Sequence, residues 1–330
     1  MVSIMTLLTP QQIEALKAAI PGVMFNEPMS KHTNFRIGGP ARLYVVANDS
    51  DALINTVRTA EDAGVPWYVF GGGSNILVAD TGFEGLVIQS GLRDLKVGGD
   101  RVTAGSGVIT GLVARKAAEA GLAGFEWAIG VPGTIGGAVY GNAGCYGGEM
   151  KDVIESVNAY RLSDGQRVTY TNTDCAFGYR ESRFKKERHL ILGCTIHLPS
   201  GDSAVSKERM QEIVETRKEK QPLEQSSAGC AFKNVEFSDP SEIQKLREAV
   251  AVPEEMIRTG RISSGWLMEQ AGCRGLTVGG VAVSDKHGNF LVNVGGATAH
   301  DVLSLIQTIK EKVREAFGVE LHEELQLLGF

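Results

Sequence analysis

Strand-like and helix-like patterns alternate along the first part of the chain. A capping Thr9, Pro10 after it and apolar residues at helical spacing predict a helix over residues 9–19. The same reasoning predicts strands at 41–47, 67–70, 85–89 and 101–104, and helices at 50–63 and 110–120. The strand at 67–70 runs directly into three glycines, so this part of the chain places a glycine loop after a strand.

The pattern changes after Val153. Strand-like stretches come first, and a charged helix at 203–220 is predicted to connect them to a last unit that begins after Pro222. The rise in charge density near residues 200–222 predicts a domain boundary there. The predicted elements are strands at 153–160, 166–171, 190–197, 280–284 and 290–294, and helices near 241–250 and at 264–271 and 299–317.

Composition narrows the possible function classes. Hydrophobic residues make up 43% and charged residues 22% of the 330 positions, which excludes a disordered chain and a coiled coil. The net charge of −6 and the lack of a basic run disfavour a nucleic-acid or membrane-surface binder. Five cysteines without a CxxC spacing predict reduced cytoplasmic thiols rather than disulfides or a zinc site. The N-terminus has no basic segment followed by an apolar run, so no signal peptide is predicted.

Glycine accounts for 41 residues and is concentrated in a few short stretches. Residues 127–148 form a charge-free stretch of 22 residues, which is long enough to cross a bilayer. Eight of these residues are glycine and one is Pro132, a composition that makes a poor helix. The stretch is therefore predicted to be irregular backbone that wraps closely around another group.

Two glycine segments are candidate anion sites. The first, GGGSN at 71–75, follows a strand, and its unshielded backbone amides could approach a phosphate, although a tight turn explains the motif equally well. It matches neither the dinucleotide fingerprint nor the Walker loop. The second, GVPGTIGGA at 130–138, could be a buried packing loop. Two such segments in one domain favour a pyrophosphate held between them.

Three further places carry reactive groups. Arg180 follows an aromatic residue and precedes a strand, where a surface arginine is the common alternative. Cys230 lies between small residues, and a thiol can donate a proton when its pKa is near the working pH, although a lone cysteine is more often a small buried residue. Glu323 and Glu324 are adjacent, so in a strand one of them could face a site while the other faces water.

Taken together, these segments resemble the UDP-N-acetylmuramate dehydrogenase family, also called the UDP-N-acetylenolpyruvoylglucosamine reductases. The resemblance runs from NFRIGG at 34–39 to residues 321–329. Its motifs are GGGSN at 71–75, GVPGTIGGAVYGNAGCYGGE at 130–149, FGYRESRF at 177–184, SAGCAFKN at 227–234 and SSGWLMEQAG at 263–272. Each motif alone is weak evidence, whereas all of them in the family's order are specific.

The resemblance implies an α+β fold, with a two-part FAD-binding domain of the vanillyl-alcohol-oxidase/PCMH type followed by a smaller α+β substrate-binding domain. The implied limits are an N-terminal helical segment at 1–30, the FAD-binding domain at 31–200 and the C-terminal domain at 201–330, whose last strand returns to the active site. The implied protein is a cytoplasmic flavoprotein of peptidoglycan synthesis that binds FAD non-covalently and takes hydride from NADPH. It would reduce the enolpyruvyl ether of UDP-N-acetylglucosamine enolpyruvate to UDP-N-acetylmuramate. This small molecule is the expected partner, with no nucleic acid or membrane, and the oligomeric state stays open, a monomer being compatible with the sequence.

The resemblance also assigns roles to residues. Arg180 matches the catalytic arginine, Glu324 the C-terminal glutamate, and Cys230 the serine or cysteine that gives a proton to C2 after hydride adds to C3. A cation and an acid beside the substrate carboxylate would stabilise the negative charge that forms there. The flavin pyrophosphate is expected at Gly71, Gly72, Gly73, Ser74, Asn75, Gly130, Pro132, Gly133, Gly136 and Gly137. Substrate contacts are expected from Lys220, Lys233, Asn234 and Gln270, and no metal is expected.

The sequence departs from the family pattern in three places. The chain passes almost directly from Arg183 to the strand at Leu190, so the loop that carries a substrate-closing tyrosine in one branch is absent, and the chain resembles the shorter branch. Val235 stands where proline is usual. His287 is followed by Gly288 instead of alanine, and it is interpreted as structural.

Two other functions remain open from the sequence. Another FAD-dependent sugar or alcohol oxidoreductase could share the fold, although no histidine lies between His32 and His189 to attach a flavin covalently beside the glycine loop. A non-catalytic regulator that binds flavin or a sugar nucleotide would not need Arg180, Cys230 and Glu324 together.

Overall fold

The computed structural model describes residues 7–237 and 240–330. The expectation of no signal peptide rests partly on residues 1–6, which lie outside the described residues. The helices are α1 (Pro10–Ala19), α2 (Ser50–Asp62), α3 (Thr110–Glu119), α4 (Ile135–Tyr140), α5 (Met150–Val153), α6 (Arg183–Lys186), α7 (Ser203–Lys220), α8 (Pro240–Ala249), α9 (Glu254–Thr259), α10 (Ser264–Gln270) and α11 (Ala299–Phe317). The strands are β1 (Met24–Pro28), β2 (Pro40–Ala47), β3 (Trp67–Phe70), β4 (Ile76–Val78), β5 (Phe83–Ser90), β6 (Leu95–Gly98), β7 (Arg101–Gly105), β8 (Gly144–Cys145), β9 (Gly148–Glu149), β10 (Ile154–Arg161), β11 (Gln166–Thr171), β12 (His189–His197), β13 (Val235–Glu236), β14 (Arg261–Ile262), β15 (Thr277–Val278), β16 (Val281–Val283), β17 (Leu291–Asn293) and β18 (Gln326–Leu328).

The chain divides into two compact units. Unit 1 comprises the described part of Met1–Glu27 together with Ala41–Gly73 and Phe83–Arg217. It contains a four-stranded sheet in the order β1-β2-β5-β3, in which β5 pairs in parallel with both β2 and β3. Its five-stranded sheet has the order β11-β10-β12-β7-β6, and neighbouring strands in it are antiparallel.

Two apolar cores lie in unit 1. In the first, Leu53 of α2 packs with Leu86 of the four-stranded sheet. In the second, Val113 of α3 and Ile135 of α4 pack with Ile196 of β12. Each fully buried side chain of this kind contributes about 1.5–3 kcal/mol to folding. Because α4 belongs to this core, the glycine-rich segment that surrounds it is held firmly against the five-stranded sheet.

Unit 2 comprises Pro28–Pro40, Ser74–Gly82 and Lys218–Phe330. The strands β15, β16 and β17 form an antiparallel sheet, and the buried face of α11 lies in the core of the unit. The last strand, β18, pairs in parallel with β4, with Gln326 opposite Ile76. Asp80 follows β4, and its carboxylate accepts hydrogen bonds from Ala299 N at 2.8 Å and His300 N at 3.0 Å, at the start of α11. These contacts fix the segment Ser74–Gly82 within unit 2.

This division differs from the domain limits predicted from the sequence. Residues 31–40 and 74–82, which are predicted within the FAD-binding domain at 31–200, and residues 28–30 of the predicted N-terminal segment belong to unit 2. Unit 1 also continues to Arg217 instead of ending at residue 200. The parallel pairing of β18 with β4 and the Asp80 contacts explain why 74–82 belongs to unit 2, and the hydrogen bond from Asn293 Nδ2 to Phe35 O at 3.2 Å joins 28–40 to the same unit.

The charge-free stretch at 127–148, predicted to be irregular backbone, contains short elements separated by loops. A 3-10 helix spans Glu126–Gly130, α4 follows at Ile135–Tyr140, and β8 and the first residue of β9 lie near the end of the stretch. Among the described residues, no helix combines the length and apolar character needed to cross a membrane.

Candidate active site

The two glycine segments meet inside unit 1. A Cβ atom at Gly71 would overlap the hydroxyl oxygen of Thr134, and one at Gly72 would lie 3.2 Å from the Cα atom of Gly133. A side chain at either position would therefore force the segments apart. The backbones of the two segments thus meet in one glycine wall, formed by Gly71, Gly72 and Gly133, with the side chain of Thr134 against Gly71.

The glycines of the second segment have different environments. Gly136 donates its N–H to Ser106 O at 2.8 Å, and a Cβ atom there would lie 2.8 Å from the Cβ atom of Ser106. A Cβ atom at Gly130 would lie 3.2 Å from the Sγ atom of Cys145. A Cβ atom at Gly137, by contrast, would have no atom within 4 Å. Gly130 and Gly136 thus serve close packing within the unit, whereas Gly137 presents an open face.

Thr134 was not singled out from the sequence. Its Oγ1 atom is buried and has no hydrogen-bond partner among the described residues. A buried hydroxyl group without a partner costs about 1–3 kcal/mol, so a ligand oxygen beside it would supply a missing hydrogen bond. The sequence pattern that could have indicated Thr134 is a hydroxyl residue inside a glycine-rich segment, directly before a helix.

Arg180 lies on a tight turn of unit 1. Gly178 and Glu181 exchange two backbone hydrogen bonds, of 3.0 and 3.1 Å, and Arg180 between them has a φ of +55°. Its Nη2 atom donates to Gly144 O at 3.2 Å. The guanidinium group also lies over the ring of Tyr179, 5.2 Å from its centroid. The turn thus directs the guanidinium group back toward the glycine-rich segment.

The segments that carry Cys230 and Glu324 pair with each other in unit 2. Glu324 N donates to Ala231 O at 2.8 Å, and Lys233 N donates to His322 O at 2.9 Å, so residues 230–233 run antiparallel beside 322–324. Glu323 lies opposite Phe232 in this pairing, and its carboxylate pairs with the Nζ atom of Lys310 at 2.9 Å. Glu323 is thereby committed to an ion pair, which favours Glu324 as the acid of the site.

Asn75 holds the backbone of the same strand. Its Nδ2 atom donates to Glu324 O at 3.0 Å, and its carbonyl oxygen accepts from Gln326 N at 3.1 Å. The sequence assigned Asn75 and Ser74 to the cofactor together with Gly71–Gly73, yet the two residues belong to unit 2 while the three glycines belong to unit 1. The side-chain amide of Asn75 supports the backbone of Glu324, a contact that no local pattern could indicate.

Burial weakens the acidity of the other four cysteines. It raises the pKa of Cys145 and of Cys175 to about 11 and that of Cys194 to about 12, and it also raises the pKa of Cys273. Cys175, Cys194 and Cys273 are buried, whereas Cys145 is half-buried and its Sγ atom donates to Trp127 O at 3.3 Å. Cys230 is half-buried and lies beside the segment of Glu324.

The predicted substrate residues all lie in unit 2. Asn234 Oδ1 accepts from Ser264 N at 3.2 Å, and the hydroxyl group of Ser264 donates to Lys233 O. These two residues therefore flank the start of α10, and Gln270 is its last residue. Lys220 is the last residue of α7. Arg180 and the glycine wall belong to unit 1, whereas the remaining predicted catalytic and substrate residues belong to unit 2.

His287 has a structural environment. Its Nδ1 atom accepts from Asn289 N at 3.2 Å, and its ring contacts that of Phe290 edge to face, with centroids 4.9 Å apart. Burial lowers its pKa, so the ring is neutral near pH 7.

Comparison with known proteins decides the family. The model of the UDP-N-acetylenolpyruvoylglucosamine reductase C-terminal domain matches residues 221–328, and that of an FAD-binding domain matches residues 41–171. A UDP-N-acetylenolpyruvoylglucosamine reductase from Caldanaerobacter subterraneus subsp. tengcongensis is 38% identical over 306 residues, 92% of this chain and 93% of that protein. The chain belongs to the UDP-N-acetylenolpyruvoylglucosamine reductase family.

Two further relatives agree with this assignment. The UDP-N-acetylenolpyruvoylglucosamine reductase of Heliobacterium modesticaldum is 38% identical over 309 residues, which are 93% of this chain and 90% of that protein. The crystal structure of UDP-N-acetylenolpyruvylglucosamine reductase from Thermus caldophilus has a TM-score of 0.71 and 31% identity, and covers 93% of this chain and 98% of that one. This reductase is thus an FAD-containing oxidoreductase, and the predicted fold class is confirmed: an FAD-binding domain followed by the family's C-terminal domain.

Proposed function

We propose that the chain catalyses the NADPH-dependent reduction of UDP-N-acetylglucosamine enolpyruvate to UDP-N-acetylmuramate, a step of peptidoglycan precursor synthesis. The observation that carries this proposal is the pairing of residues 230–233 with 322–324, which places the segment of a half-buried thiol beside the segment of an acid whose neighbour Glu323 is already in an ion pair. Family membership over more than nine-tenths of the chain supports the choice of substrate.

The residues of unit 1 fit the diphosphate of FAD. The glycine wall at Gly71, Gly72 and Gly133 allows a phosphate to approach the backbone, and Thr134 offers a buried hydroxyl group that needs a partner. These residues and the open face of Gly137 would hold the cofactor. When bound, FAD supplies a carrier that accepts hydride from NADPH and delivers it to the substrate.

The protein's own residues then handle charge and proton. Addition of hydride to C3 of the enol ether places negative charge on C2 and, by conjugation, on the adjacent carboxylate. The guanidinium group of Arg180 offers a permanent positive charge to stabilise it, and Glu324 offers a hydrogen bond. The thiol of Cys230 gives its proton to C2, and solvent returns a proton to the thiolate. An unperturbed thiol has a pKa of about 8.5, so it is a far better donor near neutral pH than an alcohol.

An anaerobic experiment in two stages tests the proposal. The purified protein should be yellow, acid should release the flavin, and NADPH should bleach it. Addition of UDP-N-acetylglucosamine enolpyruvate should then restore the absorbance with formation of UDP-N-acetylmuramate. Because both reactants use one carrier, NADP⁺ should leave before the enol ether binds, which gives ping-pong kinetics. A colourless protein that cannot take up FAD, or bleached protein that the enol ether does not reoxidise, would refute the proposal.

Substituting Gly137 with alanine should separate stability from cofactor binding. In α4 alanine is the better helix former, so the free energy of unfolding of the FAD-free protein should rise by about 0.5–1 kcal/mol. The new methyl group meets no protein atom but would crowd a bound cofactor. Because overpacking costs about 1–3 kcal/mol, FAD should bind about tenfold more weakly or worse. Chemical denaturation and FAD titration measure the two effects.

Gly98→Ala is the matched control for this substitution. Gly98 also has open space around a new Cβ atom, but it lies at the end of β6. We expect FAD affinity to be unchanged in Gly98→Ala. Equal affinities in Gly137→Ala and the unmodified protein would place the cofactor away from α4.

Replacing Glu324 with glutamine should lower turnover by about 10²-fold, because the charge and acidity at this position are lost while the shape is kept. The same change at Glu323 removes only a partly exposed ion pair with Lys310, which is worth about 0–1 kcal/mol of stability. Steady-state kcat of the two variants gives the comparison. Equal losses would mean that the wrong acid of the adjacent pair has been assigned to the site.

A further inference from the structure

Asn142 is fully buried within the charge-free glycine-rich stretch. Its exposed fraction is 0%, and its φ of +41° is a left-handed conformation that asparagine tolerates better than most residues. Its Nδ2 atom donates to Glu149 Oε2 at 2.6 Å and to Gly178 O at 2.9 Å, and its Oδ1 atom accepts from Lys151 N at 2.9 Å. Both amide hydrogens and the carbonyl oxygen are therefore used, in three different directions.

Gly178 begins the tight turn that carries Arg180. The Gly178 carbonyl oxygen accepts two hydrogen bonds, one from Glu181 N that closes the turn and one from Asn142. The Nζ atom of Lys185 donates to Arg180 O at 2.6 Å, which fixes the other side of the turn. The Arg180 backbone is thus held at its left-handed φ from both ends.

The turn is also tied to the glycine-rich stretch at two neighbouring places. Ser182 Oγ donates to Tyr140 O at 2.7 Å, and the guanidinium group of Arg180 donates to Gly144 O at 3.2 Å. Asn142 lies between Tyr140 and Gly144 in the sequence, so three nearly consecutive residues of one segment anchor one turn. Tyr140 and Gly144 take part through their backbone oxygens. Asn142 takes part through its side chain, which is itself fixed by hydrogen bonds with Glu149 and Lys151.

We propose that Asn142 is a positioning residue for Arg180: its buried amide clamps the Gly178 carbonyl and so keeps the turn in the conformation from which the guanidinium group reaches the site. This inference rests on the proposed role of Arg180 in stabilising charge on the substrate. Without the Asn142 amide, fewer hydrogen bonds hold Arg180 in its left-handed backbone conformation, and the turn relaxes toward an ordinary one. The guanidinium group then leaves the position it holds beside Gly144.

A double-mutant cycle tests the coupling. Asn142→Ala should slow reoxidation of the reduced flavin by the enol ether about tenfold, as expected for loss of a buried hydrogen bond that fixes a catalytic group, while reduction by NADPH is unchanged. In an Arg180→Ala background the same substitution should cause no further slowing. Slowing by the same factor in both backgrounds, or none in either, would overturn the inference. If Arg180→Ala itself leaves reoxidation unchanged, the proposed role of Arg180 fails, and the inference fails with it.

Hydrogen exchange provides a readout that does not depend on activity. The Glu181 amide, whose bond to Gly178 O closes the turn, should exchange at least about tenfold faster in Asn142→Ala than in the unmodified protein. Unchanged exchange would overturn the inference whatever the kinetics. Should Asn142→Ala fail to fold, Asn142→Gly accepts the left-handed backbone without strain and undergoes the same measurements.

Asn172→Ala is the matched control. Asn172 also donates two hydrogen bonds through its side-chain amide, to Lys151 O and Ile154 O, both at 2.7 Å, and neither acceptor belongs to the Arg180 turn. We expect Asn172→Ala to leave both the reoxidation rate and the exchange at Glu181 unchanged. Equal effects of the two asparagine substitutions would show a general loss of stability and overturn the specific role of Asn142.

Discussion

Replacing Cys230 with alanine is expected to slow reoxidation of the reduced flavin by the enol ether about 10²- to 10⁴-fold, the usual contribution of a general acid. Reduction of the flavin by NADPH needs no proton at C2, so its rate should stay nearly unchanged. Cys230→Ser should remain active, because a hydroxyl group can also donate a proton. Anaerobic stopped-flow absorbance measures the two half-reactions separately.

Cys273→Ala is the control for loss of a thiol in the same unit. Cys273 is buried and burial raises its pKa, so its removal should change neither half-reaction. A solvent isotope effect on reoxidation should be present in the unmodified protein and in Cys230→Ser. Unchanged reoxidation in Cys230→Ala would mean that another group gives the proton.

Removing the charge of Arg180 is expected to have a comparably large effect. Arg180→Ala should lower the reoxidation rate by about 10²- to 10³-fold, because charge then develops on the substrate without its fixed cation. The reoxidation rate of Arg180→Lys should lie between those of the unmodified protein and Arg180→Ala. Lysine keeps the charge but loses the planar set of donors that matches a carboxylate. The same stopped-flow experiment distinguishes them, and reduction by NADPH serves as the internal reference.

Arg183→Ala provides the matched loss of charge. Arg183 lies three positions further along, with its guanidinium carbon 4.8 Å from the centroid of the Tyr170 ring and its Nε atom 3.7 Å from the Glu187 carboxylate. We expect a small loss of stability and little change in reoxidation. If Arg180→Ala and Arg183→Ala slow reoxidation equally, the effect comes from the loss of any positive charge in this region. A direct role of Arg180 at the substrate would then be excluded.

Local signals in the sequence predicted the longer elements, whereas several short strands, among them β1, β4 and β6, were not predicted. The strand at 166–171 and the helices at 203–220 and 299–317 occur with the predicted limits, because apolar periodicity and turn residues specify such elements locally. Thr9 caps α1 as predicted, accepting a hydrogen bond from Gln12 N at 3.2 Å. The fold class followed from ordered motifs and is confirmed by the comparisons.

The sequence could not predict the contacts between distant segments. Gly136 and Gly137 are adjacent and identical, yet one packs against Ser106 and the other faces open space, a difference that depends on the turn after β7. Asn75 was grouped with the glycine loop, although its side chain reaches the backbone of Glu324. Asn142 belonged to a recognised motif, but only its three hydrogen-bond partners indicate a role.

The pairing of β4 with β18 has a consequence for how the protein is made. Asn75 and Glu324, which flank this pairing, are 249 positions apart, so the strand that supports the acid cannot form until almost the whole chain has left the ribosome. The glycine wall of unit 1 is complete much earlier in synthesis. A nascent chain therefore builds the surface proposed for the cofactor before the segment that holds Glu324, and a chain cut short before Gln326 would leave the edge of β4 unpaired.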